Sequence, residues 1–141
     1  MVTHDGVKVL FVAGFGPIVE NAAPTRALYA DALALPLTSG GDDPDYLHTE
    51  KLDGVRHFAL WPLASAARSC FGTDVWPAEI PKPAAWIEFD VEDVPRASEV
   101  LKQRGYTLLV DSRTEPWGQT VTRLLSPEGL LVGLTLTPWM R

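Results

Sequence analysis

The sequence predicts an α+β protein in which one order of elements, a strand, a helix and then two or three strands, occurs twice. Two segments with apolar residues at helical spacing, one between Asn21 and Leu35 and one at 92–105, each follow a strand rich in β-branched and aromatic residues. The two occurrences start about 70 residues apart and share little identity, so the repeat is one of pattern. With 46% hydrophobic residues, the chain is expected to form a single domain, 1–141, with a sizeable core.

The first module, 7–63, begins with the strand VKVLFVAGFGPIV (7–19), which we expect to break near Pro17. In the helix that follows, Asn21 can act as the N-cap and Pro24 fits the first turn. Three apolar residues recur at helical spacing and predict the buried side of this helix: Leu28, Ala32 and Leu35.

A loop is predicted by the composition of residues 38–45, and the clearest hairpin of the sequence follows it. Asp53 and Gly54 are typical of a two-residue hairpin turn, and this turn sets a register that places Glu50 opposite His57. Side chains alternate between the faces of a strand. One face is therefore expected to carry Tyr46, His48, Glu50, His57, Ala59 and Trp61, and the other Leu47, Thr49, Phe58 and Leu60.

The second module, 84–138, follows a segment, 64–83, that ends in three closely spaced prolines and is interpreted as a connector. It begins with the strand in PAAWIEFDV and continues with a helix that Asp93 caps and Gly105 ends. Three strands are predicted in YTLLVDSR, GQTVTRLL and GLLVGLTLT, the last two joined by the turn SPEG.

Composition and charge argue against several classes of function. A net charge of −6 and a pI near 4.9 oppose binding to nucleic acid. No apolar run approaches the roughly 20 residues of a membrane span, and the first residues lack a signal-peptide pattern, so we expect a cytoplasmic protein with no membrane contact. The single cysteine, Cys70, excludes an internal disulfide and is interpreted as a small buried apolar residue.

Three segments carry a resemblance to a known superfamily: ALYADALALPL, EDVPRASEVLKQRGYTLL and PWGQTVTRLLSPEGLLVGLTL. In this order and spacing, over roughly residues 7–138, they resemble the vicinal oxygen chelate superfamily of glyoxalase I, extradiol dioxygenases and bleomycin-resistance proteins. The resemblance implies two βαβββ modules that form a curved mixed sheet around a ligand-binding cup. It also implies a homodimer, to which the strands 7–13 and 130–136 are expected to contribute.

Catalytic members of that superfamily hold a divalent metal with His, Gln or Glu side chains on four strands. Aligned on the resemblance, those four positions are Gly14, Ala59, Trp86 and Gly133. Glycine and alanine offer no ligand atom, and the indole nitrogen is only a donor. We therefore expect a cup with no metal and no cofactor, in which the small residues leave room for a bulky organic molecule beside the wall formed by Trp86.

On the hairpin face, Glu50 with His57 opposite and His48 diagonal is the first candidate group for ligand binding. These residues can form an ion pair or exchange protons with a ligand, or they can bind a displaced metal. The simplest alternative is a cross-strand pair that stabilises the sheet by about 0.2–1 kcal/mol.

Aromatic and charged residues elsewhere form the second candidate group. Trp86, Glu88 and Asp90 alternate along one strand, so an indole and two carboxylates can hold a cation if that face lines the cup. The alternative is that both carboxylates are solvated or salt-bridged. The remaining candidates are Trp61 as an opposing wall, Trp117 and Trp76 at the entrance, and Gln119 and Arg123 as orienting polar groups. The alternative is that Trp117 and Trp76 are core residues and that Arg123 lies on the surface.

Together these features favour a metal-independent protein that binds an antibiotic or metabolite and is similar to bleomycin-resistance proteins. Its acidity and aromatic content favour a cationic, partly planar ligand. One alternative is a metal-dependent enzyme of the glyoxalase, lyase or dioxygenase type that uses His48, Glu50 and His57. Another is a ligand-sensing interaction module, for which a solid core without a cavity would be expected.

Overall fold

A computed structural model describes residues 7–41 and 43–141 of the chain. Within these residues, eight strands form one curved mixed sheet, accompanied by three α-helices. The strands are β1 (Val9–Val19), β2 (Thr38–Gly40), β3 (Asp43–Thr49), β4 (Phe58–Pro62), β5 (Ala85–Val91), β6 (Val110–Thr114), β7 (Thr120–Leu125) and β8 (Leu131–Leu136). The helices are α1 (Ala22–Arg26), α2 (Leu63–Phe71) and α3 (Val94–Gln103).

The sheet has two halves of identical topology. Its strand order is β2-β3-β4-β1-β5-β8-β7-β6. In the first half β1 pairs parallel with β4, in the second β5 pairs parallel with β8, and antiparallel pairing of β1 with β5 joins the halves. Each half therefore has the order βαβββ, which confirms the predicted α+β fold.

Helix α3 covers one face of the second half. The carboxylate of Asp93 accepts a hydrogen bond from the backbone N–H of Arg96 at 3.0 Å, as its predicted role as N-cap requires. The side chains of Val94 and Ala97 are buried against the sheet residues Val91 and Leu134. This packing agrees with the helical spacing of the apolar residues in the sequence.

Helix α1 is less regular than the sequence predicts. Asn21 makes no side-chain capping bond, and after Arg26 the chain continues as a π-helical turn, Ala27–Ala32. Neither segment buries a residue, and the apolar Leu28 is 50% exposed, so the helical spacing of Leu28 and Ala32 does not produce a buried side. The expected break near Pro17 is wrong, because β1 continues to Val19. Proline has no N–H group, but the next residue, Ile18, donates its backbone N–H to the carbonyl of Ala84 at 2.9 Å.

The predicted loop 38–45 is shorter than expected. Thr38 and Ser39 pair with His48 and Leu47 of β3, so β2 and the start of β3 lie within the range. Only the turn that includes Gly41, with φ of +55°, fits the loop composition.

The hairpin register is confirmed, but its turn is not a tight one. His48 pairs with Ala59, as the Asp53-Gly54 turn predicts. The strands, however, end at Thr49 and resume at Phe58, so the turn lies within a longer loop. Side-chain contacts, rather than a ladder of backbone bonds, hold Glu50 and His57 together across this loop.

The segment interpreted as a connector contains helix α2, which the sequence analysis did not foresee. Ala66, Ala67 and Cys70 form its buried side, in a core cluster with Trp86 of β5. Burial also raises the pKa of the Cys70 thiol, in agreement with its interpretation as a buried apolar residue. No helix among the described residues is long and apolar enough to cross a membrane.

Candidate functional site

A cavity of about 650 Å³ lies on the face of the sheet that carries Trp86 and Glu88. The cavity argues against the alternative of an interaction module, for which a solid core was expected. The predicted site residues that line it are His57, Trp61, Trp86, Glu88, Trp117, Gln119 and Arg123. His48 and Glu50 do not line it and lie behind His57.

Gly133 permits a close approach between neighbouring strands. Glu88 on β5 and Arg123 on β7 are both direct partners of Gly133 in the sheet. A Cβ atom on Gly133 would lie 2.8 Å from Cγ of Glu88, closer than van der Waals contact allows. The glycine thus lets the Glu88 side chain cross β8 and reach the Arg123 guanidinium at 3.0 Å.

Gly14 has the corresponding role on β1, where it accommodates an indole. A Cβ atom on Gly14 would lie 2.6 Å from Cη2 of Trp86. The ring is held there because its Nε1–H donates to the carbonyl of Ala59 at 3.1 Å. The expectation that the small residues leave empty space is therefore wrong: Trp86 and Glu88 fill it, and the cavity lies beside them.

A divalent metal does not fit at Gly14, Ala59, Trp86 and Gly133, the four positions that the resemblance implies. The Glu88 carboxylate beside Gly133 accepts from Gln119 Nε2 at 3.1 Å with one oxygen and from Arg123 with the other. A guanidinium 3.0 Å from the carboxylate repels a cation. Trp86 offers only a donor, which the carbonyl of Ala59 already uses.

Arg123 is the centre of a buried polar network in the cavity wall. Its guanidinium, with the side chain 5% exposed, pairs with Glu88 and donates to Ser69 Oγ at 2.7 Å. It also lies 5.0 Å from the ring centre of Trp61. Gln119 extends the network, because its amide oxygen accepts from Trp117 Nε1 at 2.9 Å. One side of the cavity wall is therefore polar, with the charges of Arg123 and Glu88 neutralising each other, and the aromatic side chains lie next to it.

The predicted cation site of Trp86, Glu88 and Asp90 is not assembled. Asp90 is fully buried and is not among the cavity-lining residues: it accepts from the backbone and hydroxyl of Thr137 and pairs with Arg141 at 2.7 Å. The carboxylates of Glu88 and Asp90 are thus both salt-bridged, which was the alternative to a cation site. Trp76 does not border the cavity entrance: this indole packs in the core, as the alternative held, and donates to the carbonyl of Ile80 at 3.0 Å.

Glu50, His48 and His57 form a compact hydrogen-bonded group. The same carboxylate oxygen of Glu50, Oε2, lies 2.7 Å from Nδ1 of His48 and 2.6 Å from Nδ1 of His57. Although burial opposes it, the hydrogen bonds and charges of the two histidines hold the pKa of Glu50 below its usual value. Burial lowers the pKa of His57 despite the nearby carboxylate.

Tyr46 connects this group to the cavity. Its hydroxyl lies 2.7 Å from Nε2 of His57, and both residues line the cavity. Burial, followed by the charges of Glu88 and Glu50, raises the pKa of Tyr46, so the phenol keeps its proton. The hairpin register predicts that Tyr46 lies on this face, but it does not indicate a role for Tyr46 in the site.

Parts of the cavity wall come from elements that sequence reasoning missed. Ser65, Arg68 and Ser69 of α2 line the cavity, as do Trp139 and Met140 near the C-terminus. One available signal was the helical spacing of the small residues in LASAARSCF, which separates a buried side from a polar side.

Several solved structures are similar in fold to this chain. No protein-family model and no curated protein matches the sequence. A glyoxalase/bleomycin resistance protein/dioxygenase superfamily member from Vibrio splendidus 12B01 is 13% identical, with a TM-score of 0.58 over 93% of this chain and 99% of its own. A methylmalonyl-CoA epimerase in complex with methylmalonyl-CoA and NH4+ is 15% identical, with a TM-score of 0.56 over 95% and 99% of the two chains.

A third similar structure is a variant of the methylmalonyl-CoA epimerase from Streptomyces coelicolor in complex with 2-nitronate-propionyl-CoA. It is 15% identical to this chain, with a TM-score of 0.55 over 93% of this chain and 99% of its own. At such identities the likeness concerns the fold.

Proposed function

We propose that this chain, which has the vicinal oxygen chelate fold, binds a planar organic molecule in its cavity without a metal at the superfamily's ligand positions. In this respect it would act as bleomycin-resistance proteins do, by sequestering an antibiotic or metabolite. One observation carries the proposal: Trp86 and Glu88 occupy the space over Gly14 and Gly133, beside a cavity of about 650 Å³.

The aromatic side of the cavity supports a planar ligand. The rings of Trp61 and Trp86 meet edge to face with centroids 6.1 Å apart. Trp117 and Trp139 also line the cavity and are 61% and 56% exposed. Because each Å² of apolar surface removed from water contributes roughly 25 cal/mol, covering these exposed indoles would favour binding.

The charges around the cavity favour a cationic ligand. Glu88 is neutralised by Arg123, Glu115 by Arg113 at 2.6 Å, and the lining cation Arg68 by Asp74 at 2.7 Å. Asp43 also lines the cavity, accepts a hydrogen bond from Ser65 and makes no ion pair among the described residues. With a net charge of −6 on the whole chain, the surrounding field also attracts cations.

A homodimer is part of this proposal. Val9, Val12 and Phe15 of the central strand β1 are between 39% and 42% exposed, whereas α3 covers the corresponding part of the second half. A second copy of the chain would remove this apolar surface from water. The other strand expected to contribute, 130–136, has Leu131 and Leu134 buried within the chain, so we do not assign it to the contact.

A metal-dependent enzyme is the second candidate, and one observation favours it. The potential ligand atoms of His48, Glu50 and His57 all lie within 4.8 Å of one another. Two imidazoles and a carboxylate are ligands that Zn²⁺ and Ni²⁺ accept. The hydrogen bonds within the group account for the same arrangement without an ion.

The binding proposal is tested by titrating the chain with proflavine, a planar aromatic cation, in excess chelator while its Trp fluorescence is recorded. We expect saturable quenching with one dye per chain. Trp117→Ala should weaken binding several-fold, because the indole lines the cavity and its exposed face is available to the dye. Tyr106→Ala is the matched control, since Tyr106 is 49% exposed but does not line this cavity. Equal affinities in the two variants, or no binding, would contradict the proposal.

A further inference from the structure

A chain of hydrogen bonds runs from the protein surface to the cavity. It starts at Glu50, whose side chain is 52% exposed, and passes through His57, whose side chain is 21% exposed. It ends at Tyr46, whose hydroxyl lies 2.7 Å from Nε2 of His57. Both nitrogens of the His57 ring are thus engaged by partners within the chain.

The charge at one end determines where the hydrogens lie. A carboxylate only accepts hydrogen bonds, so Nδ1 of His57, 2.6 Å from Glu50 Oε2, must carry a hydrogen. In the neutral imidazole the other nitrogen, Nε2, then has a free lone pair. The Tyr46 hydroxyl must therefore donate to Nε2.

The other neutral tautomer of His57, with its hydrogen on Nε2, is unfavourable. With the hydrogen on Nε2, a lone pair of Nδ1 would face the Glu50 carboxylate at 2.6 Å, and two acceptors would repel each other. A doubly protonated, charged ring is disfavoured because the His57 side chain is only 21% exposed, and burial opposes the charged form. The neighbouring charged and titratable groups are Glu50, His48 and Tyr46 in contact with the ring or close to it, and Glu88 at longer range.

As a consequence, Tyr46 has only one hydrogen and that hydrogen is directed away from a ligand. Any hydrogen bond from its oxygen to a molecule in the cavity is one in which Tyr46 accepts. The negative charge of Glu50 polarises the chain and makes the phenol oxygen a better acceptor, since hydrogen bonds in series strengthen one another.

We propose that Tyr46 is the specificity-determining acceptor of the site and that the ligand is a planar aromatic cation with an exocyclic amino group whose N–H donates to it. The inference rests on the proposed binding function and names its class of ligand. Asp43 in the cavity wall suits the charge of such a molecule, and the exposed indoles of Trp117 and Trp139 suit its ring.

The test compares two dyes that differ in their donors. Both dyes share an acridinium ring with its ring N–H, but proflavine carries two primary amino groups where acridine orange carries dimethylamino groups, so the pair differs only in the exocyclic N–H donors. We expect the chain to bind proflavine about tenfold more tightly, the difference that one charge-assisted hydrogen bond supplies. Affinities would be measured by calorimetry and by dye fluorescence.

Variants separate this hydrogen bond from the size of the methyl groups. In Tyr46→Phe the ratio of the two affinities should fall to about one, because the ring remains and only the acceptor is lost. In Glu50→Gln the ratio should fall partly, since the charge that polarises the chain is removed. A ratio unchanged in Tyr46→Phe would mean that sterics set it and would overturn the inference.

A measurement on the unliganded chain tests the same hydrogen positions without any variant. Long-range nitrogen–proton NMR correlations distinguish the two tautomers of His57, and we expect the hydrogen on Nδ1 at neutral pH. A hydrogen on Nε2 would overturn the inference. If both dyes bind equally well to the wild-type chain, the inference fails and the binding proposal stands. If neither dye binds, the binding proposal fails and the inference fails with it.

Discussion

Removal of the Arg123 guanidinium should destabilise the chain far more than removal of a surface cation. Arg123→Met keeps an unbranched chain of similar length but deletes the bonds to Glu88 at 3.0 Å and to Ser69 at 2.7 Å. It leaves a carboxylate that is only 14% exposed with Gln119 as its remaining partner. Breaking a buried ion pair in this way costs about 3–5 kcal/mol.

The free energy of unfolding, measured by urea denaturation, checks this magnitude. Lys82→Met is the matched control, because Lys82 pairs with Glu20 at the same 3.0 Å but both side chains are about 60% exposed. This control should be indistinguishable from the wild type within error. A loss below about 1 kcal/mol in Arg123→Met, the range of surface pairs, would refute the idea that the cavity wall excludes water from this pair.

A double variant identifies the source of the penalty. Arg123→Met combined with Glu88→Gln removes the uncompensated charge as well as its partner, so it should be more stable than Arg123→Met alone. Equal stability of the single and double variants would mean that lost packing, rather than the isolated carboxylate, explains the loss.

Three further predictions concern Gly133, His57 and the exposed face of β1. Gly133→Ala should lower the free energy of unfolding by about 1–3 kcal/mol through the clash with Glu88 Cγ, and the loss should disappear in a Glu88→Ala background; a loss that persists there would point elsewhere. Since the pKa of His57 is lower in the folded chain, unfolded chains bind protons first as the pH falls below about 6.5; stability should therefore decrease on acidification, and less steeply in His57→Gln, as pH-dependent denaturation would record. Val12→Glu on the exposed face of β1 should convert the proposed dimer into monomers in sedimentation experiments, whereas an unchanged mass would exclude this face.

Much of the fold was predictable because local chemistry and the final packing agree. Asp93 caps α3 as its position predicts, and the hairpin register follows from the Asp53-Gly54 turn even though the strands stop earlier. The π-helical turn after Arg26 could not be predicted, because it depends on how loosely that segment packs rather than on its residue types. Helix α2 was obscured by the prolines that follow it.

The sequence indicated which residues share the cavity face of the sheet, but not which of their side chains are in contact. Alternation along the strands correctly placed Trp86 and Glu88 on the cavity side. It could not indicate that their side chains fill the space over Gly14 and Gly133, because that depends on side-chain conformation across three strands. For the same reason the pairing of Asp90 with the C-terminal Arg141 could not be inferred from spacing.

The most direct test of metal-independent binding is a calorimetric titration of the chelator-treated protein with proflavine, and separately with Mn²⁺, Ni²⁺ and Zn²⁺. We expect one dye to bind per chain with no metal present, and no stoichiometric uptake of any of the three ions. Stoichiometric metal binding that is lost in His48→Ala, or dye binding that requires a metal, would contradict the account and favour the enzyme that uses His48, Glu50 and His57.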